Sequence, residues 1–264
     1  MVMVRKLLRD DWDDHTHGNY RIVNNVWNKG ALVNGEDYTQ SIRFNPADLS
    51  RNVVFRWDWP DVGDVIAYPE IIVGYKPWDR DAGTQNLTAR IATIETFKVA
   101  VDYDISGQRS EFNVAFDLWL TNKPHAGPGT ISTELMIWTH DGRLTPAGDK
   151  VGIYQHGDFR AEIWVADDFG DSSGTSSATW RYIAVRALTE IRDETIDIGD
   201  IIADLVSRDL VDDRDFVNGY EFGAEVLGGK GELHVHNLSH RFWTTADSAD
   251  SVAFAESAAD GFVF

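Results

Sequence analysis

Cysteine does not occur in the 264 residues, which excludes a disulfide-stapled scaffold and any thiolate metal site. Its absence does not fix the compartment. Positive charge is scarce, with 24 Lys and Arg against 43 Asp and Glu and a formal net charge of −19. Such a surface repels phosphate backbones and anionic lipid, so nucleic acid and membranes are not expected as partners. It suits a soluble protein that handles neutral or cationic ligands. Long apolar runs are missing as well. No stretch reaches the roughly 20 residues needed to span a bilayer. The opening MVMVRKLLRDDWDD has a short basic patch and no apolar h-region, so export, if it occurs, is expected to use a signal that this chain does not contain. Self-similarity at periods of roughly 20 to 50 residues, the mark of a solenoid or propeller, is not apparent.

What the chain has in quantity is short strands and tryptophan. Between about residues 20 and 243, strand-like segments alternate with turns rich in Gly, Pro, Asn and Asp. Examples are RIVNNVWN, VVFRWDW, YPEIIVGY, TFKVAVDYDI, EFNVAFDLWL, ELMIWTH, TWRYIAVRAL and GELHVHNLSHRFW. Many alternate apolar and polar residues, as antiparallel strands with one face on a core do. The length suffices for one large β domain with a buried interior. One segment departs from this pattern. In TIDIGDIIADLVSRDLV, Ile198, Ile201, Ile202, Leu205, Val206 and Leu210 recur at helical spacing behind Asp197, a plausible N-cap. A helix packed on the outer face of a sheet is expected there. Beyond Trp243 the composition turns to Ala, Ser and Asp, so residues 1–243 read as the folded domain and 244–264 as an acidic tail or linker. Ten tryptophans are more than a core of this size needs, so some are expected to line a surface groove.

The informative positions are carboxylates placed in greasy strands. In GTISTELMIWTHDG, alternation puts Leu135 and Ile137 on a core face and Glu134, Met136 and Trp138 on the other. A buried ionised carboxylate costs several kcal/mol unless something compensates it, so that second face is expected to border a wet cleft. In FNVAFDLWL the core face is Phe112, Val114, Phe116 and Leu118, leaving Asn113, Asp117 and Trp119 opposite. In GYEFGAEVLGGKGEL, Glu221, Gly223 and Glu225 share a face beside a glycine-rich bend. Any one such acid is more simply a hydrogen-bonded structural carboxylate. Three of them, accompanied by so much tryptophan, point to glycoside chemistry.

These segments resemble glycoside hydrolase family 12, the endoglucanase and xyloglucanase family. STELMIWTHDG is similar to that family's nucleophile strand, with the pattern E-[LI]-M-[IV]-W, VAFDLWL to the aspartate-bearing strand before it, and YEFGAEV to its acid/base strand. NNVWN and YPEIIVGYKPW resemble segments that line its cleft, and the order agrees across residues 12 to 243. The resemblance implies an all-β jelly roll, two curved antiparallel sheets with one helix on the convex side. It also implies retaining, endo-acting hydrolysis of β-1,4-glucan chains without a metal or other cofactor. By position it makes Glu134 the nucleophile, Glu225 the general acid/base and Asp117 the residue that holds Glu134 by a hydrogen bond. Asn25, Trp27 and Trp12 would bind sugar on the non-reducing side, and Met136 would lie beneath the sugar next to the nucleophile. Tyr75, Lys76, Trp78 and Trp138 would also belong to the substrate-binding surface. Ala224 departs from the family's usual threonine and removes a hydroxyl beside the acid/base.

The expected partner is therefore a β-glucan polysaccharide or oligosaccharide, met by a monomer outside the cell. A non-catalytic carbohydrate-binding jelly roll would use the same aromatic surface, but it would not need Glu134, Glu225 and Asp117 together. The related jelly roll of family 11, which cuts xylan, is disfavoured by the E-L-M-I-W strand and by YPEIIVGYKPW. His234, His236 and His240 share a parity, yet no carboxylate is spaced to complete a metal site. DDFGDSSG lacks the EF-hand pattern and reads as a solvated loop. Gly228, Gly229 and Gly231 do not open a helix, so no phosphate-binding loop is indicated.

Overall fold

Period-two alternation in the sequence becomes two packed β-sheets. The computed structural model describes residues 5–78, 87–170 and 177–246. Of the predicted tail, everything from residue 247 lies outside the described residues, as does DDFGDSSG from residue 171. Six strands form one sheet, in the order Lys6–Leu8, Thr39–Phe44, Val53–Trp59, Gly229–Thr244, Ile94–Gly107 and Asp193–Asp197. The larger sheet runs Asp149–His156, Phe159–Gly170, Thr179–Ala187, Ile131–His140, Val114–Thr121, Gly219–Gly223, Glu70–Gly74, Tyr20–Val23 and Asp14–His17. Two short strands, Ala89–Arg90 and Phe216–Val217, join it off this path.

The core lies between the sheets. Ile71, Val73, Phe116, Leu135, Ile137, Ile183 and Phe222 point into it from the larger sheet, and Phe55, Trp57, Val99, Tyr103 and Leu233 from the smaller. Leu135 and Ile137, with Phe112, Val114, Phe116 and Leu118, thus occupy the core faces that alternation assigned to them. The helix forms over Ile198–Ser207, and the Asp197 side chain accepts the Asp200 N–H at 3.2 Å. Ile198, Ile201, Ile202 and Leu205 enter the main core, with the helix resting on Ile94–Gly107 and touching Asp149–His156.

One pairing differs from a purely antiparallel expectation. Ile131–His140 runs parallel to Thr179–Ala187, with Glu134 opposite Tyr182 and Met136 opposite Ala184. The three strands from Asp149 to Ala187 fold as a meander whose last member is laid against Ile131–His140, so the two meet head to head in direction. Parallel strands are normally covered on both faces. Here a second apolar cluster covers the outer face: Ala115, Met136, Trp138, Tyr182 and Ala184, with Leu144, Ala147 and Phe169 against them. That covering explains why ELMIW reads as an almost unbroken buried run. The three histidines serve the fold differently. His234 and His236 lie with ring centroids 4.0 Å apart and planes tilted by 51°, His236 bonds Asp104 at 3.0 Å, and His240 meets the Tyr220 hydroxyl at 3.1 Å.

Candidate active site

The outer face of the larger sheet holds an open cleft of ≈ 790 Å³. Its lining includes Glu134, Glu225, Asp117, Trp12, Asn25, Trp27, Lys76, Trp78, Met136 and Trp138. Of the residues singled out from sequence, Tyr75 is the exception. Gly74, at φ +89°, turns the chain at the strand end, and the Tyr75 ring meets His125 edge-on at 5.4 Å, away from the lining. Its neighbour Lys76 faces the cleft floor instead.

Glu134 is 8% exposed, and its Oε2 accepts the indole N–H of Trp180 at 2.6 Å. Glu225 is held by Asn113, a fully buried residue. The two exchange a backbone N–H to Glu225 O at 3.1 Å and the Glu225 N–H to Asn113 Oδ1 at 3.0 Å. Asn113 Nδ2 then donates to the carboxylate Oε2. Two residues before Glu225, Gly223 lets the strands close up: a Cβ there would sit 2.3 Å from the Pro69 carbonyl oxygen. Ala224 packs into the main core while Glu225 faces the cleft. The hydroxyl missing at 224 would have belonged to the interior, and Asn113 is the group that touches the Glu225 carboxylate.

The hydrogen bond expected from Asp117 to Glu134 is not formed. In the strand register Asp117 lies opposite Met136 and Glu221, whereas Glu134 lies opposite Trp119. Such diagonal neighbours are about 7–8 Å apart along the sheet. Asp117 Oδ1 is buried with no hydrogen-bond partner. Burial, then the charge of Glu134, pushes Asp117 well above the usual carboxylate range, which favours its neutral form.

Beneath these groups is an ionic floor that sequence reasoning missed. Lys76 Nζ contacts Glu70 Oε1 and Oε2, each at 3.0 Å, and Glu221 Oε2 at 2.8 Å. Asn25 Nδ2 donates to Glu70 Oε1 at 2.8 Å and Trp119 Nε1 to Glu221 Oε1 at 3.1 Å. Burial alone would lower the Lys76 pKa, but Glu221 and Glu70 outweigh it and raise it, so the ammonium stays charged. Lys76 is thus committed to two carboxylates rather than free for a ligand. Removing one partner of a buried ion pair typically costs about 3–5 kcal/mol. Lys76→Met is accordingly expected to lower the melting temperature by roughly 10 °C near pH 7.5. Thermal unfolding of the variant beside the wild type at that pH checks this.

Aromatic rings wall the cleft. Trp78, Trp119 and Trp180 meet edge to face, with centroids 5.4–5.8 Å apart. Trp12, 52% exposed and at φ +64°, stands in the lining with its N–H fixed to Asn24 O at 3.0 Å. Trp27 is placed by Asn25, whose Oδ1 accepts the Trp27 N–H at 3.0 Å. Met136 Sδ takes the Trp138 indole N–H at 3.5 Å and the Tyr182 hydroxyl at 3.6 Å. The sequence signals for Trp119 and Trp180 were parity alone: Trp119 shares a face with Asp117, and Trp180 with Tyr182. Glu70 carried the same signal as Glu134, an acid in an otherwise apolar strand. Asn113 shared its face with Asp117.

Fold and site together define a carbohydrate-cleaving class: a two-sheet β-sandwich with an aromatic cleft and, lining it, the buried Glu134 and the half-buried Glu225. The family model for Glycosyl hydrolase family 12 matches residues 18–242, and the chain belongs to that family. A curated relative, "Endoglucanase S" of Pectobacterium parmentieri, is 28% identical over 246 residues, covering 86% of this chain and 83% of the relative. Among solved structures, a family 12 xyloglucanase from Bacillus licheniformis in complex with ligand superposes with a TM-score of 0.77 at 23% identity. The match covers 90% of this chain and 100% of that one. A metagenome-derived family 12 endoglucanase gives 0.72 at 25% identity, covering 91% and 99%. The neighbours are β-jelly-rolls, and the two sheets found here share that fold. No helix among the described residues is long and apolar enough to cross a membrane.

Proposed function

We propose that this chain is a retaining, endo-acting β-1,4-glucanase in which Glu134 is the nucleophile and Glu225 the general acid/base. The observation that carries the reading is a pair of glutamates, buried Glu134 on the strand Ile131–His140 and half-buried Glu225 just past the strand Gly219–Gly223, each fixed by a donor of its own and both facing one tryptophan-walled cleft. The relatives named as endoglucanases and xyloglucanases support a glucan backbone as substrate.

The chemistry follows from the protonation of the pair. Burial first of all pushes Glu134 up to about 8, with the Glu225 charge adding to the rise, and pushes Glu225 up to about 7. Two such neighbours titrate as a unit, so between these values the pair holds one proton. The higher value of Glu134 leaves that proton more often on Glu134, and the productive minority carries it on Glu225 with Glu134 ionised. The ionised Glu134 attacks the anomeric carbon, the glycosidic C–O bond breaks, and Glu225 protonates the departing oxygen. Bonding to the sugar removes the charge on Glu134, so Glu225 can ionise. It then takes a proton from water, whose oxygen displaces the ester and restores both groups. Below the lower value both acids are protonated and no nucleophile exists; above the higher one no acid remains. Activity should therefore follow a bell with its top near pH 7–8.

Trp12, Trp27 and Trp78 offer flat apolar faces to the C–H sides of β-glucosyl rings. Trp138 and Met136 support the floor under the reacting sugar, and Asn25 fixes Trp27. An open cleft admits the middle of a chain, so cutting is internal, and the polymer is one met outside the cell. The deciding experiment measures reducing ends and viscosity on barley mixed-linkage glucan, carboxymethyl cellulose and tamarind xyloglucan. Viscosity should fall early relative to reducing ends on at least one polymer. Binding to all three with no reducing ends from any would replace this reading with a non-catalytic binding module.

A further inference from the structure

We infer that Trp180 is the residue that positions Glu134, with its indole N–H clamping one carboxylate oxygen so that the other is left to attack the sugar. The inference rests on the reading of Glu134 as nucleophile. Its geometric basis is separate: Trp180 Nε1 lies 2.6 Å from Glu134 Oε2, while the buried Asp117 Oδ1, the obvious candidate for that task, has no partner.

The other donors on the floor are engaged elsewhere. Lys76 serves Glu70 and Glu221, Trp119 donates to Glu221, Trp138 and Tyr182 to Met136 Sδ, and the Tyr68 hydroxyl to Ala115 O at 3.0 Å. Trp180 is itself immobilised. It is 5% exposed, wedged edge-on between Trp78 and Trp119, and its strand pairs in parallel with that of Glu134. A rigid donor on an adjacent strand fixes the carboxylate without spending side-chain freedom at each turnover.

The bond also has a chemical consequence in each step. A hydrogen bond to a carboxylate favours its ionised form and so opposes the effect of burial. When Glu134 Oε1 bonds to the anomeric carbon, Oε2 becomes the ester carbonyl oxygen and still accepts the indole N–H. When water displaces the ester, the C–Oε1 bond breaks, its electron pair returns to the carboxylate, and the N–H stabilises the charge that reappears. The water proton passes to Glu225.

The test replaces the N–H without changing the shape. Trp180→β-(3-benzothienyl)alanine swaps the ring NH for sulfur, and Trp180→Phe is made beside it as the packing control. For the isosteric variant on the best β-glucan, kcat should fall about tenfold to hundredfold, the loss of a hydrogen bond to a charged group. KM should stay within about twofold, and the limb of the pH profile set by Glu134 should move to higher pH. The second readout does not need turnover: the Glu134 carboxyl 13C resonance, assigned by its loss in Glu134→Gln, should titrate at higher pH in the isosteric variant. Unchanged kcat and an unchanged titration would overturn the inference. A raised KM with unchanged kcat would also overturn it and make Trp180 a sugar platform. If the wild type cleaves no β-glucan, the proposed function fails, and the titration alone still decides whether the indole N–H holds Glu134.

Discussion

Glu134→Gln is expected to lose hydrolysis by a factor on the order of 10⁴ or more while unfolding at a higher temperature than the wild type. The loss follows from removing the atom that bonds the anomeric carbon. Neither the amide oxygen nor any neighbour can replace it, and nucleophile deletions in enzymes that act through a covalent intermediate cost this much. The gain follows from linkage. Burial raises the pKa of Glu134 from its ordinary range to about 8, so the folded state is penalised for ionising it and the unfolded state is not. The wild type is therefore free of the penalty below about pH 4 and bears it increasingly as the pH rises toward 8. Glutamine removes it. At pH 7 the variant should be more stable by about 2–3 kcal/mol, and the two proteins should converge near pH 4. Thermal unfolding at pH 4 and pH 7, together with reducing-end release, measures both halves. A site that sacrifices stability for chemistry behaves in this way; a structural carboxylate would destabilise the fold when replaced.

Glu225→Ala is expected to fail differently. On polymer, where the leaving alcohol needs a proton, the rate should fall about 10²–10⁴-fold, the range for loss of general acid–base assistance. On an aryl β-cellobioside with a good leaving group, the first step needs no acid. The covalent ester should then accumulate, because no base remains to activate water. Azide, a small nucleophile that needs no deprotonation, should restore turnover and yield a β-glycosyl azide. The Ala side chain also frees Asn113, whose amide donates to Glu225 in the wild type, and leaves room for the azide. Rescue in Glu225→Ala and none in Glu134→Gln separates the two roles. Rescue in neither would place the acid/base on another carboxylate of the floor, with Asp117 the first to examine.

The strands that carry this chemistry were legible wherever one face met the core. Leu135 and Ile137 against Glu134, Met136 and Trp138, and Phe116 and Leu118 against Asp117 and Trp119, follow from the two-residue period and reappear in the structure. The helix was legible for the same kind of reason, its apolar residues repeating at 3.6 behind an aspartate cap. Parity states which way a side chain points, and it is silent on which strand lies next door. Trp180 therefore gave no sign of touching Glu134. The parallel pairing that joins them is set by how the meander from Asp149 to Ala187 is laid down. For the same reason Asp117 was assigned a bond that the register denies it. Glu70 lay inside the quoted YPEIIVGY, yet its partner Lys76 comes after the turn at Gly74, where strand periodicity has stopped. Tyr75 follows the same turn and meets His125, outside the cleft lining.

The most direct measurement follows the anomeric configuration of the first product by ¹H NMR during hydrolysis of a cello-oligosaccharide, before mutarotation sets in. Double displacement at a carbon reached by both Glu134 and Glu225 inverts twice, so the new reducing end should appear as the β anomer and relax slowly toward the α/β mixture. Initial release of the α anomer would mean a single displacement by water, with the two glutamates too far apart to share a covalent intermediate.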